Sequence, residues 1–167
     1  MKTDLQNVRL TDLSQVEHAY HLLPVDPESA HRILVVAFAG KYRAGGEGVD
    51  DASYMAAVTA AGLQAWNPRG LVFDLIQLTY HWGHELTVAL GLGKKGLSSF
   101  EEVLLGRAEA IERSDIPTSI VASAENRSAI ASLLGEEMSV NPSDWVFDSL
   151  DAAVLRVRRE LVVRQPR

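Results

Sequence analysis

The sequence predicts one α/β domain built on a mixed, mainly parallel sheet with helices on its faces. Three observations carry that expectation. The runs Ile33–Ala39 and Leu71–Leu75 are short, continuous and apolar, as strands covered on both faces must be. Strand-like runs alternate with helical patterns through most of the chain, the order of a sheet with crossover helices. A length of 167 residues suits one domain that buries roughly 70% of its unfolded surface without a covalent staple.

Residues 1–14 are polar and read as an N-terminal extension, with the domain spanning 15–165. Val16 to Val25 reads as a first strand. Asp26-Pro27-Glu28-Ser29 is the turn that joins it to Ile33–Ala39 in a hairpin. The Ile33–Ala39 and Leu71–Leu75 runs are expected at the centre of a four- or five-stranded sheet. Between them, Gly40 to Gly48 holds four glycines and reads as a flexible connection. Asp50 or Asp51 is expected to cap the next helix, in which Met55, Val58 and Gly62 share one side. Asn67-Pro68-Arg69-Gly70 stops that helix. After Leu71–Leu75, Ile76 to Tyr80 lead the chain out of the sheet, and a helix is expected from Gly83 or His84 toward Leu92. Ser98 with Glu101, or Ser99 with Glu102, spells a capping box. Phe100, Val103, Leu104, Ala108 and Ile111 then follow at helical steps. Pro117 to Ala122 reads as a strand and Glu125 to Leu134 as a helix ended by Gly135. Trp145-Val146-Phe147 is a short strand, and Ser149 caps a last helix from Leu150 to about Val163.

Composition narrows the function classes. The chain has no cysteine, so disulfides, thiolate metal sites and a cysteine nucleophile are excluded. A cysteine-free chain with a polar start and no signal-peptide core is expected in the cytoplasm. No apolar run approaches the ~20 residues that span a bilayer, so no membrane role is expected. The formal net charge of -6 argues against nucleic acid as the ligand, because phosphate binding needs a basic surface. Arg156, Arg158, Arg159, Arg164 and Arg167 read as the solvated end of a helix, where the dipole favours cations. No motif sets an oligomeric state.

The most unusual stretch is Thr79-Tyr80-His81-Trp82-Gly83-His84-Glu85. It follows a buried strand and opens a helix, and ligands of open α/β sheets sit at such places. His81 and His84 are three apart, not the four of a helical zinc pair, so no metal is expected there. Trp, Tyr and His at a loop tip are good anchors for a partner. The expected protein-contact set is therefore Tyr80, His81, Trp82, Gly83, His84 and Glu85, with Trp82 exposed or half-exposed. Neither catalytic residues nor a cofactor are expected. Gly40 to Gly48 lacks the Lys-then-Ser/Thr ending of a phosphate loop and the spacing of a dinucleotide fingerprint. Asp74 suits a carboxylate that bonds loop amides, and Ser123 and Asn126 look like helix N-caps. His18, His21 and His31 lie in or beside the hairpin, where alternation keeps them from converging.

Three local spellings, with the order of elements, resemble the STAS domain, the fold of anti-sigma-factor antagonists. They are Ile33 to Gly40 leading into a helix, Pro68 to Tyr80, and Val146-Phe147-Asp148-Ser149-Leu150-Asp151-Ala152-Ala153. The resemblance runs from about Val16 to Leu161. It implies a STAS-like fold and a non-catalytic regulatory or protein-binding role acting through the strand-to-helix turn at 80–85. In the family an Asp-Ser-Ser-Gly turn follows the signature strand, and its first serine is phosphorylated. Counting from Asp74 without gaps, Trp82 stands at the aspartate, Gly83 at that serine and His84 at the second serine. The phosphoacceptor is absent, which implies constitutive action or control by a ligand. Residues 97–114 exceed what the family needs and read as a helical insertion. A second resemblance, to small crotonase/ClpP-like enzymes, implies instead that the same turn is an oxyanion hole with His84 or Glu85 as acid–base.

Overall fold

The chain enters its sheet as a hairpin. β1 (Glu17–Pro24) and β2 (Arg32–Lys41) pair antiparallel, with Ala19 opposite Ala37 and His21 opposite Val35. The carboxylate of Asp26 and the hydroxyl of Ser29 accept the amides of Glu28 and His31 at 3.1 and 3.0 Å, which shapes the turn. The structure, a computed structural model, describes residues 5–95, 116–137 and 139–163.

After β2 the chain alternates helix and strand. α1 (Gly48–Trp66) leads to β3 (Gly70–Thr79), then α2 (Leu86–Lys95), β4 (Thr118–Val121), α3 (Arg127–Glu137), β5 (Val146–Phe147) and α4 (Leu150–Val163). The described residues thus form a five-stranded sheet in the order β1-β2-β3-β4-β5, antiparallel at β1 and parallel elsewhere. This is the mixed, mainly parallel, helix-flanked architecture that the alternation of patterns predicts. The STAS-like spellings fall on β2 and its exit, on β3, and on β5 with the start of α4.

The two apolar runs sit where the hydrophobic effect puts strands without a polar face. Along β2, Leu34, Val36 and Phe38 face a core shared with Met55, Val58 and Leu63 of α1 and with Leu86 and Leu90 of α2. Ile33 and Val35 face the other way, onto Ala153, Val154 and Val157 of α4. Farther along that second face, Ala37 and Ala39 are only half-buried.

Several boundaries differ from expectation. α1 begins at Gly48, and neither Asp50 nor Asp51 caps it, because Asp51 turns inward to an arginine. The helix leaves through Asn67, in the left-handed region at φ 43°, while Gly70 already belongs to β3. β3 does not end at Leu75 but runs on to Thr79, with a register shift opposite Ala37 and Ala39. α2 opens at Leu86, and α3 passes through Gly135. Ser149 does cap α4, accepting the Ala152 amide at 3.3 Å. The capping box at Ser98 and Ser99, the Phe100 helix and the insertion at 97–114 lie outside the described residues.

Candidate functional site

Parallel pairing brings the exits of β2 and β3 side by side. The ladder reaches Lys41 opposite Thr79, and the Tyr42 amide donates to the Thr79 carbonyl at 3.0 Å. Each strand is therefore followed at once by a tyrosine, Tyr42 and Tyr80. Both are buried, and their rings meet edge to face with centroids 5.4 Å apart.

Each phenol ties down one loop. The Tyr42 hydroxyl donates to the Gly48 carbonyl at 2.9 Å, and the Tyr80 hydroxyl donates to the Gly83 carbonyl at 2.8 Å. The backbones approach these rings so closely that only glycine fits. A Cβ on Gly48 would lie 2.6 Å from the Arg43 carbonyl oxygen and 3.0 Å from the Tyr42 ring. A Cβ on Gly83 would lie 3.2 Å from the same ring, and Gly83 holds φ +144°, a region L side chains rarely adopt. Burial pushes the Tyr80 hydroxyl up to about 12, with help from the Glu85 carboxylate. Burial also raises Tyr42, with Glu85, Tyr80 and Asp51 adding to the shift. Both phenols therefore stay protonated and keep donating near neutral pH.

Trp82 rides on this platform and is 59% exposed. The tip of its indole reaches the glycine loop, 3.9 Å from where a Gly45 Cβ would stand. His81 and His84 are exposed, and Glu85 is half-buried. The Thr87 hydroxyl and amide bond the His84 carbonyl at 2.6 and 3.1 Å, which starts α2. The buried residues Leu86, Ala89 and Leu90 then anchor that helix. Tyr80 is thus a core residue that holds the turn from beneath, and Trp82 is the large apolar side chain offered to solvent.

The connection Gly40 to Gly48 is held by the fold at Arg43 and Gly48, while Gly46 stands open. Asp51, fully buried, accepts from the Arg43 amide at 2.7 Å, from Arg43 Nε at 3.0 Å and Nη2 at 2.8 Å, and from the Ser14 hydroxyl at 2.5 Å. Arg43 Nη2 also donates to the Leu13 carbonyl at 2.7 Å, which ties residues 13–14 to the loop. Burial alone would raise the Asp51 pKa, but the bonds from Arg43 and Ser14 outweigh it and hold the carboxyl below its usual range.

Of Ser123 and Asn126, both read as caps, Asn126 does other work. Beyond Asp74, β3 has no strand partner on its β4 side among the described residues. Asn126 fills that gap, its Nδ2 donating to the Leu75 and Leu78 carbonyls at 2.7 Å each. The Ser123 hydroxyl does accept the Asn126 amide, at 3.3 Å. Asp74 accepts the Ile76 amide at 3.1 Å, within the irregular part of β3. His18 and His21 point to opposite faces. His18 Nδ1 lies 2.7 Å from the Tyr54 hydroxyl, while His21 lies on the far side of the strand. Among the described residues, no three potential metal ligands converge. Sequence reasoning missed Tyr42, Arg43 and the inward role of Asp51. The available signal was a tyrosine closing each of two adjacent strands, which parallel register sets side by side.

Comparison with known proteins is sparse. No family profile matches the chain, and no curated protein matches it either. Among solved structures, an anti-sigma factor antagonist from Mycobacterium paratuberculosis is similar over 86% of this chain and 95% of its own, at 18% identity and a TM-score of 0.47. No helix among the described residues is long and apolar enough to cross a membrane.

Proposed function

We propose that this chain is a non-catalytic regulatory domain that binds a partner protein through the turn at residues 80–85. The observation that carries this reading is Trp82, exposed on a backbone that two buried tyrosines hold rigid. An anchor already fixed in place loses little freedom on docking, so more of its contact energy appears as affinity. The net charge of -6 favours a basic partner surface. Gly83 stands where the STAS family carries its phosphoacceptor, and its φ of +144° suits glycine rather than serine. Control therefore rests on occupancy of the surface and not on phosphorylation of the turn. The enzyme alternative finds less support, because both phenols beside the turn are already committed as donors to main-chain carbonyls.

The test is a paired capture from native cytosol with the wild-type chain and Trp82→Ala as baits. The reading predicts a protein retained by the wild type and lost with the variant, at equal melting temperature. Identical retention by both baits would remove Trp82 from the site.

A further inference from the structure

A second surface lies on the opposite side of β1 to the His18–Tyr54 contact. α4 covers Ile33 and Val35 but not the sheet beyond them, and an open groove of about 380 Å³ remains there. Its floor is three methyl groups, those of Ala19, Ala37 and Ala39. They lie together because Ala19 pairs with Ala37 across β1 and β2, and alternate residues of β2 share a face.

The walls carry the chemistry. Glu17 and His21 rise from β1, and Asp74 and Gln77 from β3. Register places Asp74 beside Ala37, and Gln77 beside Ala39, which in turn faces Glu17. The two carboxylates thus rise from opposite walls, two strand spacings of ~4.8 Å apart across the sheet and offset by two residues, roughly 7 Å, along it. Glu17 has no hydrogen-bond or ion-pair partner among the described residues. Asp74 spends one oxygen on the Ile76 amide, and its other oxygen faces no partner there. Ile76, 43% exposed, adds apolar surface at the β3 wall.

We infer that this groove takes an arginine side chain from an extended basic segment of a partner protein. A planar guanidinium lies flat on a methyl floor and spreads its five donors to both sides. Glu17 and Asp74 supply the opposing charge and the Gln77 amide oxygen a further acceptor. The stem of the side chain then packs on the alanines and Ile76. A lysine is a poorer fit, since a compact ammonium is more strongly hydrated and reaches one wall at a time. The groove involves none of residues 80–85, so this inference stands apart from the reading of the turn.

The test is an NMR titration of the full chain, labelled at its alanine methyls, with the blocked peptide Gly-Arg-Gly. Parallel arms use Gly-Lys-Gly and Gly-citrulline-Gly. The expected result is saturable shifts at Ala19, Ala37 and Ala39 with the arginine peptide, several-fold weaker with lysine and absent with citrulline. Glu17→Gln and Asp74→Asn should each weaken binding at least about fivefold, and Ala37→Leu should block it by filling the floor. Glu17 is exposed and Asp74 half-buried, and an unchanged amide spectrum verifies the fold of each variant. Absence of saturable shifts at millimolar peptide, equal response to citrulline, or affinity untouched by Glu17→Gln would each overturn the inference. Shifts confined to residues 80–85 would overturn it too, while leaving the turn's own role intact.

Discussion

Asp51→Asn is the most informative single change in the scaffold. The substitution keeps the volume and removes the charge. It also turns an amide NH₂ toward donors, because Arg43 and Ser14 surround the native carboxylate with N–H and O–H groups. Breaking a buried ion pair typically costs ~3–5 kcal/mol. The Arg43 side chain is 32% exposed and recovers some hydration, so ~2–3 kcal/mol is the expected loss here. For a chain of this size each kcal/mol moves the melting temperature by about 2–4 °C, so a fall of roughly 5–10 °C should appear in thermal and urea unfolding followed by circular dichroism. The pH dependence has a definite sign. The folded-state pKa is depressed below 3.8, so the stabilisation is complete above that value and fades as pH falls through the lower, folded pKa. The gap between wild type and variant should be constant from about pH 5 to 8 and narrow below about pH 4. A loss under about 0.5 kcal/mol, or a gap that widens in acid, would refute the assignment of Asp51 as the charged anchor of the loop.

Three further outcomes follow from the same contacts. Gly83→Ala should cost ~1–3 kcal/mol in urea unfolding, since it places a side chain at φ +144° against the Tyr42 ring. Asn126→Ala should cost ~2 kcal/mol or more by leaving the Leu75 and Leu78 carbonyls without their donor, and native-state hydrogen exchange should show β3 opening more readily. Tyr42→Phe should cost ~1–2 kcal/mol while leaving the ring packing intact, with amide shifts concentrated at Gly48 and Gly83.

Much of the fold was legible because the hydrophobic pattern is local. Ile33–Ala39 and Leu71–Leu75 have no polar face to expose, so their place inside the sheet follows from composition alone. Trp82 stood out for a related reason, as a large aromatic between a strand's end and a helix's start. What the sequence hid were contacts made at a distance. Asp51 has the position of a cap, and only the fold brings Arg43 and Ser14 to it. Asn126 also has a cap's spelling, but β4 is short, and among the described residues Asn126 supplies the donor to two β3 carbonyls beyond it. The length of β3 was missed because its irregular segment, Asp74 to Gln77, breaks the simple strand pattern. The groove was invisible, since three alanines carry no signal until register sets them side by side.

The central claim is that Trp82 is a contact residue on a rigid platform and not part of the core. The most direct test measures the affinity of a captured partner for wild type and for Trp82→Ala, after both have been melted. The account predicts melting temperatures equal within about 1 °C and binding weakened at least tenfold, or about 1.4 kcal/mol. Unchanged affinity, or a variant destabilised by the ~3–5 kcal/mol of a truncated core tryptophan, would contradict it.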